Sequence, residues 1–187
     1  MSEPVYFTGF FFFEEICRNK PFYFAGKFCA ELAGIKLGDH SGAGNSIERW
    51  WQQLESAQKH PEGSFKVVNA LAMAASYDPD PTQFLGIRLP VTFDTCEVIE
   101  ERWANWLRQD PVVAIETKAD NLRRLKALWI DCGEKDQFNL LYGVRRFVRR
   151  LNELGIAHRY DEFPDNHTSV DYRMDESLPF LAQALSG

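Results

Sequence analysis

The stretch Leu125-Lys126-Ala127-Leu128-Trp129-Ile130-Asp131-Cys132-Gly133 decides how this chain reads. A short apolar run, Leu125 to Ile130, ends in an Asp-Cys-Gly turn, the pattern of a buried strand that stops at a glycine. After it, Leu140, Leu141, Val144, Phe147, Val148, Leu151 and Leu154 recur at helical spacing, with Arg145, Arg146, Arg149 and Arg150 between them. Gly155 stands where such a helix takes its C-cap. The next run, Ile156 to Phe163, is short, carries an aromatic residue and closes at Pro164, so it reads as a second strand. Strand, helix and strand in this order form a βαβ unit, which sets the two strands parallel in one sheet. A final helix is expected over Leu178 to Leu185, with Pro179 tolerated in its first turn.

Upstream the pattern changes. Ile47 to Ala57 places Trp50, Trp51, Leu54 and Ala57 on one helical face, Val67 to Ala75 reads as a second helix, and Cys96 to Leu107 as a third. Between them lie Asp78-Pro79-Asp80-Pro81 and Leu89-Pro90, and Asp110-Pro111 breaks the third helix. Helices without intervening strands read as an insertion lying over the carboxyl ends of the strands. The expected fold class is therefore α/β, a single domain over 1–187, with helices on both faces of a parallel sheet. A helical cap occupies 46–115 and a strand-helix-strand-helix core 116–187.

The chain has 187 residues, 45% of them apolar and 26% charged, which excludes collagen, long coiled coil and general disorder. Its 21 Lys and Arg against 27 Asp and Glu give a net charge of -6, which disfavours duplex nucleic acid and anionic membrane as partners. The apolar run Phe10 to Phe13 is cut off by Glu14-Glu15 and has no basic residues before it, so neither a secretory leader nor a membrane span is expected. Cys17, Cys29, Cys96 and Cys132 are far apart and form no C-x-x-C pair, which leads to an expectation of reduced thiols and a cytoplasmic, soluble protein.

Two loops follow the two strands. The first offers a carboxylate in Gly133-Glu134-Lys135-Asp136, the second a histidine in Asp165-Asn166-His167. Acid before base, both at carboxyl ends of parallel strands, is the chain order that follows an upstream nucleophile in α/β-hydrolases. The chemistry requires the pair because the histidine takes a proton from a hydroxyl while the carboxylate holds its tautomer and stabilises the imidazolium. The plainer alternative is a turn aspartate and a polar loop histidine. Asp131 is the rival acid, but it stands on the strand itself, where local pairing suits it better. His40, His60, His158 and His167 show no metal-ligand spacing, so no metal is expected. The four arginines read as a solvated helix face rather than an anion site.

The segment Leu125 to Leu185 also resembles the C-terminal part of the esterase D-like family of α/β-hydrolases, related to esterase D and feruloyl esterases. In that family a strand leads to a G-x-x-D-x-[FY] turn holding the acid, and a later strand of E-E-F type leads to a D-x-H loop holding the base. The matching positions are Gly133, Asp136 and Phe138, then Glu162, Phe163, Asp165 and His167. The likeness continues through Ala70 to Ala75, Asp78 to Pro81, Trp103 to Leu107 and Asp110-Pro111. It implies a serine esterase acting on a small ester through an acyl-enzyme without a cofactor, with His167 as base and then acid, Asp136 as its orienter, and Trp50, Trp51, Trp103 and Trp106 shaping an apolar pocket.

The departures lie at the front. No G-x-S-x-G occurs, and the strands that precede the nucleophile in the family are missing or replaced. Ser41, in Ile35-Lys36-Leu37-Gly38-Asp39-His40-Ser41-Gly42, is one candidate nucleophile, although His40-Ser41-Gly42 is more similar to the segment after the family's elbow. Cys29 is the other, because Ala25-Gly26-Lys27-Phe28-Cys29 echoes the family's G-K-S-S-G-G elbow. The competing reading is a truncated module without catalysis, whose open sheet edge is covered by a second copy, as a homodimer, by a partner, or by the Phe-rich N-terminus.

Overall fold

A computed structural model of the protein describes residues 46–60, 64–92 and 95–186. Ser41, Cys29, Cys17 and the Phe10 to Phe13 run lie outside them. The described residues belong to two compact units, divided between Gln109 and Asp110.

The first unit is helical. It contains α1 (Ser46–Ser56), α2 (Ser64–Tyr77) and α3 (Glu100–Leu107). Val67, Ala70, Leu71 and Ala74 bury one face of α2 at the i, i+3, i+4, i+7 spacing that a helix packs with. Trp103 and Trp106 of α3 lie with ring centroids 6.3 Å apart, and Tyr77 meets Trp106 edge-on at 5.4 Å. At 5% and 0% exposed, both tryptophans are buried. Arg102 donates to Asp78 and Asp80, and Asn105 to Asp78, so the proline-punctuated segment is tied to α3 through its carboxylates. The helix expected from Cys96 starts instead at Glu100. Residues before it form a turn in which Thr92 and Glu97 exchange backbone and side-chain bonds, Val91 bridges Val98, and Cys96 takes a φ of 58°. The thiol expectation is corrected in part: Cys132 is free and buried, whereas Cys96 is disulfide-bonded.

The second unit is the α/β part. Asp110-Pro111, read as the end of a helix, begins one: α4 (Pro111–Arg123) has Pro111 in its first turn, and the Asp110 carboxylate accepts from Val112 N at 2.8 Å. This helix crosses the expected division at 115/116 and joins the sheet unit. There follow β1 (Trp129–Gly133), α5 (Leu140–Glu153), β2 (Arg159–Phe163) and α6 (Met174–Ser186). The strands pair in parallel, Trp129 with Arg159 through to Gly133 with Phe163, as the βαβ reading requires. Both are shorter at their starts than expected; Leu125 and Leu128 pack on the core ahead of the first strand pair, and Leu128 O accepts from Arg159 N at 2.8 Å. Helix α5 runs as the heptad-like pattern indicates and ends at Gly155, whose φ of 64° is the left-handed conformation of a C-cap. The last helix begins four residues earlier than Leu178, so Pro179 lies inside it, beyond the first turn where it was expected.

Period-two alternation sorts the strands into two faces. Ile130 and Cys132 join Ile115 of α4 and Leu141, Val144, Phe147, Val148 and Leu151 of α5 in one apolar cluster. On the other face Trp129 packs on Phe180 of α6 at 5.4 Å, Arg159 lies over the Trp129 ring at 4.5 Å, and Arg173 bonds both Asp131 and Asp161. The sheet is thus held between helices on both faces, an α/β arrangement.

An ion pair closes the α5 side. Arg145 meets Glu162 of β2 with two bonds, at 2.8 and 2.6 Å, and the Tyr160 hydroxyl donates to the same carboxylate. The guanidinium first, then the phenol, lowers the Glu162 carboxyl from its ordinary 4.5 to about 2. Because the folded value is depressed, the pair stabilises the fold fully above pH 4.5 and loses that contribution as pH falls towards 2. The unfolding free-energy difference between the wild type and Glu162→Gln is therefore expected to be largest above pH 5 and to vanish near pH 2, read by denaturant titration across that range. With Arg145 half-exposed, the difference is expected to stay within the modest range of surface pairs.

Candidate functional site

The loops that leave β1 and β2 run side by side. Glu134 N donates to Phe163 O at 2.8 Å and Lys135 N to Asp165 O at 2.9 Å, which carries the strand pairing one step past the ladder. Gly133 makes this approach possible: a Cβ at that position would lie 2.9 Å from Asn166 O and closer still to Asp165 O, both backbone atoms. The glycine is required for space, since no positive φ is involved.

The turn after β1 brings Asp136 to the N-terminus of α5. One carboxylate oxygen, Oδ1, accepts from Phe138 N at 2.8 Å and Leu140 N at 3.3 Å. These backbone donors and the positive end of the helix favour a charged group there. With Oδ1 so occupied and its side chain 1% exposed, Asp136 presents Oδ2 to one partner, Nδ1 of His167, at 2.9 Å. The two residues are 31 positions apart and meet because their strands are adjacent and in register.

The chemistry of this bond follows from its donors and acceptors. A carboxylate can only accept, so the imidazole donates through Nδ1–H and leaves Nε2 as its basic nitrogen. The His167 ring is partly exposed, with Phe138 edge-on at 5.1 Å between centroids. An imidazole whose tautomer is held by a buried carboxylate, and whose second nitrogen is basic, can take a proton from a hydroxyl and return it to a leaving group.

Asp131, the rival acid, is engaged elsewhere: its carboxylate takes the Arg173 guanidinium at 3.1 Å on the α6 face. Cys132 is no nucleophile. Burial, then the charges of Asp136, Asp131 and Glu162, push its thiol up to about 12, far from the thiolate. His158 bonds the backbone oxygen of Ile156 at 2.8 Å, a structural role. Among the described residues no group of three or more His, Cys, Asp or Glu is placed to hold a metal ion, and no helix is long and apolar enough to cross a membrane.

Sequence reading passed over Gln137. Its side chain bonds His167 N and Thr168 Oγ1, and the only local signal was its place between the acid and Phe138 in the G-x-x-D-x-F turn. The candidate nucleophiles Ser41 and Cys29 lie outside the described residues, so the placed part of the expected site is Asp136 and His167. No protein-family model matches the chain, and a search of curated proteins finds no match.

Proposed function

We propose that this protein is a carboxylic-ester hydrolase of the serine esterase type, built on a partial α/β-hydrolase core and acting on a small ester. The observation that carries the reading is the 2.9 Å bond from His167 Nδ1 to the buried Asp136 carboxylate, formed at the carboxyl ends of two adjacent parallel strands. In this mechanism His167 Nε2 takes the proton of a serine nucleophile as its oxygen attacks the ester carbonyl. The tetrahedral intermediate collapses when His167 gives that proton to the leaving alcohol. Water then repeats the sequence on the acyl-enzyme, and Asp136 holds the tautomer and balances the imidazolium in both halves.

A second reading has its own support. Among the described residues β1 and β2 pair only with each other, which leaves each with an edge unpaired by them. A hydrolase-like module without activity, completing its sheet with a second copy or a partner, fits that arrangement.

Treatment of the pure protein with a fluorophosphonate and a chromogenic short-chain ester separates the two. The esterase reading expects turnover and a mass adduct at Ser41 that is lost in His167→Ala. Absence of both in a folded chain, together with a dimeric mass by gel filtration, would favour the module.

A further inference from the structure

The Asp136 bond fixes one atom of the His167 ring, and one bond does not fix a ring. An imidazole held only at Nδ1 still swings about that contact if its backbone moves, and Nε2 swings furthest. His167 has a partly exposed side chain on a loop whose Thr168 and Ser169 are exposed, so packing alone does not restrain it. Much of the loop's bonding is internal: Thr168 N donates to Asn166 Oδ1 at 2.7 Å, Asn166 N to Asp165 Oδ1 at 2.8 Å, and the Tyr172 hydroxyl to Asp165 Oδ2 at 3.2 Å. These bonds shape the loop, and Lys135 N ties it to the Asp136 turn at Asp165 O, 2.9 Å away and two residues upstream, which leaves the location of His167 itself open.

Gln137 supplies that location. Its Oε1 accepts from His167 N at 3.0 Å, and its Nε2 donates to Thr168 Oγ1 at 3.0 Å. Consecutive residues of one turn therefore grip the same histidine at two ends, Asp136 at the ring and Gln137 at the backbone. We propose that Gln137 is a positioning residue for His167: its amide clamps the backbone of the base loop so that the imidazole keeps its bond to Asp136 and Nε2 keeps its direction. The proposal rests on the hydrolase reading of the Asp136–His167 pair. An amide suits the position because it offers an acceptor and a donor together; a glutamate could keep both contacts only if the Thr168 hydroxyl turned to donate.

The test uses the full chain, nitrogen-15 imidazole spectra of His167, and steady-state kinetics on a chromogenic short-chain ester. In the wild type the Nδ1-protonated tautomer should dominate, with a slowly exchanging Nδ1 proton. Gln137→Leu, similar in size but unable to bond, is expected to speed that exchange and mix the tautomers. It should lower kcat by about 10- to 100-fold, with KM little changed, the scale on which small displacements of a reacting group act. Gln137→Glu should recover most of both signals. Should Gln137→Leu fail to fold, Thr168→Val removes one end of the clamp, and a smaller change of the same sign is expected. A folded Gln137→Leu, or Thr168→Val in its place, with imidazole spectra and kcat of the wild type overturns the proposal. If the wild type turns over no ester, the hydrolase reading fails instead, and the spectra alone still decide whether Gln137 holds the ring against Asp136.

Discussion

Under the proposed esterase mechanism, Asp136→Asn is expected to lower kcat on an activated short-chain ester by roughly 10^4-fold, the size of the same change in a known Ser-His-Asp hydrolase, while leaving stability nearly intact. The amide oxygen can still accept from Phe138 N and Leu140 N, so the start of α5 stays satisfied. Its NH2 group then faces His167 Nδ1, which must accept rather than donate, and the ring proton moves to Nε2, where a base is needed. Asp136→Ala separates the two roles of this carboxylate. It should lose the same activity and also destabilise the fold by about 1–3 kcal/mol, because two backbone donors at a buried turn lose their acceptor. Kinetics and urea unfolding on both variants check this pair of outcomes. Undiminished hydrolysis in folded Asp136→Asn would remove Asp136 from the mechanism, leaving it a helix cap.

Gly133→Ala should be strongly damaging to the sheet unit. The added carbon would press into the backbone oxygens of Asp165 and Asn166, which cannot rotate away as a flexible side chain could. The loops must part, and a cost of about 3 kcal/mol is expected, at the upper end for overpacking. For a chain of this size that is a fall of about 6–12 °C in Tm. Parting the loops also stretches the His167–Asp136 bond, so activity should fall more than the folded fraction does. Gly155→Ala is the control, since a Cβ there meets nothing within 4 Å and the cost is only that of a left-handed alanine, about 1–2 kcal/mol. Equal Tm values for the two variants would mean that the loops do not approach as described.

Some elements were legible because their signals are local. The i, i+3, i+4 pattern from Leu140 and the glycine at 155 mark α5 directly, and the apolar runs on either side of it mark the strands. Asp110-Pro111 carried a legible signal that admits two meanings, since a proline stops the helix before it and starts the one after. Val112, Ile115, Ala119 and Leu122 at helical spacing favour the second, as the structure has it. Strand starts were not legible, because Leu125 and Leu128 are as apolar as ladder residues and only the extent of pairing separates them.

For the site, sequence alone determined the residue types, their order and their places just past two strands, since composition and periodicity are properties of the chain itself. Whether a carboxylate and an imidazole 31 residues apart share a hydrogen bond depends on strand adjacency and register, and those are settled only when the sheet packs between α4, α5 and α6. The same holds for Gln137, whose partners are made neighbours by the fold, and for Trp103 and Trp106, whose burial is a fact of three-dimensional packing.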